Sequence, residues 1–309
     1  MVDYKSLKKE RGFDYFIAGG SDSCCELASI SSKDFFLEPE AGIKAFTQGR
    51  EKLKQLFAPQ IDLHVPVTTP LIKYGHVNAL GSKLTFPDNG QVGHSSPFES
   101  IEEGLEFFQK DADFSKGGMT PFYLDYLEKL RDAFSGEKVY WGWQWEGPVT
   151  TSWELIGPDF MYSLFDKPEL INKFMTLVSK SIEDYCKFFC QVEGTEILKP
   201  FPDFGRVCDD IAAMLPPNMW DNFVLPYWEI FFQGPTEDRR IHCEDMSKDH
   251  LVFLEQLGIV DYDPGISPKL NPALINANTD VPFGWRLGSF HYDGMTSQDV
   301  EDFVYQAAA

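Results

Sequence analysis

An imidazole and a carboxylate two residues apart on a β-strand point to the same side, because successive side chains of a strand alternate. The segment Arg239-Arg240-Ile241-His242-Cys243-Glu244-Asp245 offers that arrangement: His242 and Glu244 together, Cys243 away from them. Side by side they make two of the ligands that a catalytic zinc uses, leaving positions for a further ligand and for substrate. The same spacing also fits a plain His–Glu hydrogen bond that satisfies two buried polar groups. His64 closes the first predicted strand and Asp203 follows Phe201-Pro202 at the end of another. His64 is a candidate for touching substrate. Asp203 is a candidate general acid or a partner behind a ligand, with a helix N-cap as its other reading.

Other groups carry weaker signals. Asp209-Asp210 reads as a helix cap or as a means of orienting Arg206. His76 sits in a connecting segment and reads as scaffold. Trp141, Trp143 and Trp145 alternate on one strand, so Trp143 could line a substrate pocket or pack in the core. Of the adjacent pair Trp285 and Arg286, only one can face a site, and Trp285 is the candidate pocket residue. The six cysteines form no C-x-x-C pair. Cys186 and Cys190, four apart on a predicted helix, read as buried packing rather than as a ligand pair.

Elements that could position these groups follow one another as strand, helix, strand, helix. Predicted strands are 61–65, 139–145, 196–201, 240–244, 259–262 and 283–287. The clearest helix opens at Pro168, keeps Leu170, Phe174, Val178, Ile182, Tyr185 and Phe189 at spacings of three and four, and stops at Gly194. Ser100-Ile101-Glu102-Glu103 is a capping box. Pro217 suits a first helical turn, Pro226 marks a break, Ser247 to Leu257 is a helix closed by Gly258, and Thr296 opens the last one. Such alternation means a parallel sheet. Polar residues at the C-terminal ends of the strands fit a barrel whose functional groups gather at one rim. No dinucleotide-binding glycine motif or P-loop favours an open sheet instead. The reading is a single (β/α)8 TIM-type barrel over 1–309, with a helical extension over about 1–56 and an eighth strand expected beyond residue 309.

Charge narrows the partners. A formal net charge of −21 repels nucleic acid and anionic lipid, so neither is expected as a partner. It also disfavours a polyanionic substrate unless the few arginines converge on one spot. No uninterrupted apolar run approaches a membrane span, and the N-terminus does not read as a signal peptide, so a cytoplasmic protein is expected.

Several segments carry a family resemblance. Tyr74-Gly75-His76-Val77-Asn78-Ala79-Leu80-Gly81 with Leu84-Thr85-Phe86-Pro87-Asp88 is one. Glu146-Gly147-Pro148-Val149-Thr150-Thr151 with Leu155-Ile156-Gly157 and the Pro168-Glu169-Leu170 helix is another. Cys208-Asp209-Asp210-Ile211-Ala212, Leu215-Pro216-Pro217 and Val224-Leu225-Pro226-Tyr227 continue it. In this order, over roughly residues 45 to 305, the chain resembles the uroporphyrinogen decarboxylase superfamily. The resemblance implies a (β/α)8 barrel and one of two chemistries: metal-free decarboxylation of uroporphyrinogen, or zinc-dependent methyl transfer between corrinoids, thiols and methylated substrates.

The decarboxylases carry an N-terminal Met-Arg-Gln-Ala-Gly-Arg motif and an aspartate at the end of the first strand. Here the first is absent and Leu63-His64-Val65 stands at the second. A substrate with eight carboxylates needs a cationic cradle, which this acidic chain does not offer. The methyltransferase branch is closer. Its zinc motif is His-x-Cys on a strand, with a further Cys near the C-terminus. His242 matches the histidine and Glu244 falls on the cysteine; no cysteine follows Cys243. The third ligand then lies beyond residue 309, or is another group such as His291, which also counts as a candidate pocket residue, or no metal binds. The resemblance implies zinc on His242 and Glu244, a small-molecule methyl donor or acceptor, and a corrinoid carried on a partner protein. The alternatives are a metal-free decarboxylase and a non-catalytic corrinoid- or tetrapyrrole-binding barrel.

Overall fold

The computed structural model describes residues 19–57, 63, 65–88, 90–110, 112–195, 206–233, 238–288 and 294–308. They belong to two compact units, one within Ile17–Lys199 and one within Pro200–Ala309. Among the described residues no helix is long and apolar enough to cross a membrane.

In the first unit, helices at Ser21–Ala28, Ser32–Leu37, Pro39–Lys44 and Arg50–Phe57 precede β1, Val67–Thr68. The expected strand 61–65 contributes no described strand residue; pairing begins after Pro66, whose missing N–H cannot join a ladder. A short antiparallel pair follows, β2 (Leu84–Thr85) with β3 (Gly93–His94). β4, Val139–Tyr140, runs parallel to β1 in the register Val67↔Val139, and the pairing is resumed at Ile72↔Trp143. Gly142 allows this close approach: a Cβ there would lie 2.5 Å from the Pro70 carbonyl oxygen.

The long helix forms as the spacing predicts, over Pro168–Glu193. Proline fills the first turn, where no N–H is needed, and Gly194 ends it in the left-handed region at φ 68°. Its inner stripe buries Ile171, Phe174, Met175, Val178, Ile182, Tyr185 and Phe189. Cys186 and Cys190 are free thiols on that stripe, and burial pushes both thiols up. They pack, as expected. Ser100 caps the helix Ile101–Phe107 by accepting the Glu103 N–H, while Glu103 reaches the N–H of Glu99 rather than closing the box on Ser100.

The second unit is built on three parallel strands: β5 (Arg206–Cys208), β6 (Arg240–His242) and β7 (Asp261–Asp263), in the order β5-β6-β7. A bridge from Tyr262 to Phe283 continues the parallel pairing. Helices connect them. Pro217–Phe223 and Leu225–Gln233 lie between β5 and β6, broken at Val224 just before Pro226. A 3-10 turn at Lys248–His250 and the helix Val252–Gln256 lie between β6 and β7. Ser247 opens that turn as predicted. His250 Nδ1 accepts the Ser247 N–H, so Nε2 carries the ring proton and donates it to the Leu215 carbonyl. The fold is α/β with parallel strands.

Register sorts the side chains of this sheet into three rows. Val207, Ile241 and Tyr262 form the middle row and are buried to within 1% of full enclosure. The rows on either side of it, Arg206–Arg240–Asp261 and Cys208–His242–Asp263, point to the opposite face. One face is therefore core and the other is entirely polar or ionisable.

Candidate functional site

The polar face ends in a constellation centred on His242. The strand stops there, earlier than residue 244, and Cys243 to Asp245 form a turn with Asp245 at φ 61°. Even so, the turn brings Glu244 back over the ring: His242 Nε2 lies 3.9 Å from Glu244 Oε1. Cys243 is fully buried on the other side, its thiol directed at the Asp209 carbonyl and its pKa pushed up by burial.

Three features hold Glu244 in place. Its N–H donates to Asp210 Oδ1 at 2.7 Å. Its carboxylate lies over Gly265, at φ 60°, where a Cβ would come within 2.1 Å of Oε1. Arg286 Nη2 donates to Oε1 from 3.3 Å. Asp209, whose N–H joins the ladder at the His242 carbonyl, accepts the buried Trp228 indole N–H at 2.6 Å and so anchors the loop bearing Asp210.

Asp263 stands on the opposite side of the ring, with Oδ2 3.1 Å from His242 Nδ1. Nδ1 is therefore the ring atom that faces the Asp263 carboxylate. Nε2 faces Glu244 and, at 3.7 Å, Asp210 Oδ1. Burial alone would raise the Asp263 carboxyl. The His242 hydrogen bond and charge, the Gly265 N–H and the Arg286 charge outweigh it and hold the group down at about 2. Arg206 bridges Asp261 at 2.9 Å and Asp263 at 3.3 Å.

Two carboxylate oxygens lie within 4 Å of His242 Nε2, and the Arg286 guanidinium brings positive charge to one of them. The donor types suit a zinc ion: imidazole nitrogen and carboxylate oxygen, with a second carboxylate behind the histidine. The spacing is wider than the roughly 3.4 Å between donors around a tetrahedral zinc, and among the described residues no three His, Cys, Asp or Glu form a complete ligand set. The donor types match zinc but their spacing does not, and a third ligand is not among the residues described.

The remaining predicted residues divide. His64, Asp203 and His291 lie outside the described residues. Trp143 is corrected from pocket to core: it is 0% exposed, stacked on Tyr123 at 4.3 Å, with its indole N–H on Thr120. Of the adjacent pair, Arg286 rather than Trp285 reaches the site; Trp285 stacks on Phe303. Arg206 is held by Asp261 and Asp263 rather than oriented by Asp209-Asp210. Asp210 and Asp263 were missed as site residues. Asp263 could have been found from its place at the C-terminal end of a parallel strand, where such folds collect functional groups.

The model of the family Uroporphyrinogen decarboxylase (URO-D) matches residues 74–272, a span that holds Asp210, His242, Glu244 and Asp263. Among solved structures, a methyltransferase from Methanosarcina mazei shares the fold at a TM-score of 0.57 and 16% identity, over 84% of this chain and 74% of that one. With the matched segment covering well over half of its length, this chain belongs to the uroporphyrinogen decarboxylase family.

Proposed function

We propose that the protein is a zinc-assisted methyltransferase of this family, built as a (β/α)8 barrel, that moves a methyl group between a methylated small molecule or thiol and a corrinoid on a partner protein. The observation that carries the reading is the convergence of His242 Nε2 and Glu244 Oε1 with Asp263 behind the ring. It is supported by the similar fold of a protein that is itself a methyltransferase. It is supported also by the absence of the arginine-rich motif that the decarboxylases use.

His242 and Glu244 would hold the ion, and bound zinc would lower the pKa of a thiol or polarise a methyl-bearing oxygen or nitrogen. The residues prepare that site in defined ways. Asp263 stands behind Nδ1 and so sets the ring with Nε2 toward Glu244. Asp210 fixes the main chain of Glu244, and Gly265 leaves room for its carboxylate. Arg206 neutralises the two carboxylates of β7, which would otherwise repel Glu244. Asp203 or His64 would handle the proton, and the corrinoid protein would dock at the C-terminal ends of the strands.

Elemental analysis of wild type and His242→Ala tests this directly. Stoichiometric zinc in the first and its loss in the second are expected; near-zero zinc in both removes the mechanism. The half-exposed guanidinium of Arg286 beside the site keeps a metal-free decarboxylase as the second reading. Carbon dioxide released from uroporphyrinogen by metal-free enzyme would favour it.

A further inference from the structure

The first unit gathers ionisable and aromatic side chains at the C-terminal ends of its own parallel strands. Pairing of β1 with β4 continues to the Ile72↔Trp143 bridge. Lys73 and Tyr74 follow on one strand, and Gln144, Trp145 and Glu146 on the other. The helix Pro148–Ile156 then carries Trp153 and Glu154, and β3 contributes His94. Strand ends of this kind are where parallel α/β folds assemble ligand sites. Tyr74 lies over His94, with ring centroids 4.3 Å apart at 38°, and His94 meets Trp153 edge-on at 6.5 Å. All three rings are only part buried.

The two carboxylates, by contrast, are enclosed: Glu146 is 5% and Glu154 3% exposed. Lys73 Nζ lies 3.2 Å from Glu146 Oε1. Burial pushes the Tyr74 phenol up, and the charges of Glu154 and Glu146 push it the same way, so both acids act on this ring. Burial pushes the His94 imidazole down, which leaves that ring uncharged at neutral pH. Such a group discriminates between ligands. An aromatic face attracts a cation, and nearby carboxylates in a poorly solvated setting reinforce the attraction and repel an anion. Because the carboxylates are enclosed, they act on a ligand through charge rather than as hydrogen-bond acceptors. A bare ammonium would surrender hydration without replacement. An alkylated ammonium has less hydration to lose, and its methyl groups suit the rings. A metal ion does not fit, since among the described residues no three His, Cys, Asp or Glu could hold one.

We propose that Tyr74, His94 and Trp153, with Glu146 and Glu154 beside them, form a binding site for an alkylated ammonium group. The site lies within the first unit and involves no metal, so it stands or falls apart from the zinc reading.

Isothermal titration calorimetry of the full-length protein with tetramethylammonium chloride tests this, against ammonium chloride at equal ionic strength. Wild type should bind tetramethylammonium at least about tenfold more tightly than ammonium. Trp153→Leu keeps an apolar side chain and removes the π face, and should weaken binding about three- to thirtyfold. Glu154→Gln removes a charge in place and should weaken it about tenfold or more. Glu244→Gln, in the second unit, should bind as wild type does. Absence of binding to wild type, equal affinity for the two cations, or undiminished affinity in Trp153→Leu or in folded Glu154→Gln would overturn the proposal. So would loss of binding in Glu244→Gln, which would put the cation among the carboxylates around His242. Far-UV circular dichroism checks that each variant folds; if the buried Glu154→Gln does not, the part-exposed Trp153→Leu decides.

Discussion

His76 makes the stability of this protein depend on pH in a range that is easily reached. Its side chain is fully buried among Phe114 and Tyr185, with ring centroids 5.7 and 5.1 Å away. Nε2 is paired with Ser181 Oγ at 2.9 Å, whereas Nδ1 has no partner among the described residues. A second proton would have to sit on Nδ1, as an uncompensated charge in an apolar pocket. Burial accordingly pushes the imidazole down from 6.5 to about 3. The unfolded chain takes up a proton below about pH 6.5 that the folded chain refuses. Stability is therefore fully present above 6.5 and is lost as pH falls toward 3. At about 1.4 kcal/mol per pH unit, the loss between pH 7.5 and 5 comes to about 2 kcal/mol. Replacing His76 by Gln keeps a group that can bond to Ser181. It gives up ring packing at a pH-independent cost of about 1–2 kcal/mol. Urea unfolding at pH 7.5, 6 and 5, followed by far-UV circular dichroism, should show wild type losing about 2 kcal/mol more than His76→Gln over that range. All other histidines are common to both proteins. Parallel pH profiles would refute the argument and show that His76 accepts a proton in the folded state.

Other consequences are as direct. Gly265→Ala should lower zinc affinity at least about tenfold and cost about 1–2 kcal/mol in the left-handed conformation, because its Cβ lands on the Glu244 carboxylate; chelator competition and thermal melting measure both. Asp263→Asn, which replaces the carboxylate behind His242, should weaken zinc by about 10- to 100-fold while leaving the protein folded. An affinity equal to wild type would mean that the His242 ring needs no such support. Trp143→Leu should destabilise by about 3 kcal/mol or more and leave zinc content at the wild-type level, as expected of a core residue. A variant of unchanged stability and altered zinc content would return Trp143 to the site.

What could be read from the sequence was local. Pro168, Gly194, Ser100 and Pro217 act through their own backbone or the next turn, and each begins or ends the helix it was expected to. The His242–Glu244 pair was legible because two-residue spacing is itself geometry, although the route differs: Glu244 arrives through a turn, not along a strand. Asp263 and Asp210 could not be paired with His242 in advance. Their proximity comes from which strand lies beside which and in what register, and that is decided by the burial of Val207, Ile241 and Tyr262 far along the chain. Alternation likewise told that Trp141 and Trp143 share a face, but not that this face is the interior. The first expected strand, 61–65, lies mostly outside the described residues, and the described pairing starts at Val67.

The three-residue strands of the second unit leave no margin for slippage. Each contributes one aliphatic or aromatic side chain between two polar ones, so a single inserted or deleted residue inside Arg240–His242 would turn isoleucine toward Asp263 and the imidazole toward the apolar core. Length changes in the connecting helices would do no such thing. Insertions in this half of the molecule should thus fall into two kinds, harmless or abolishing, with little between.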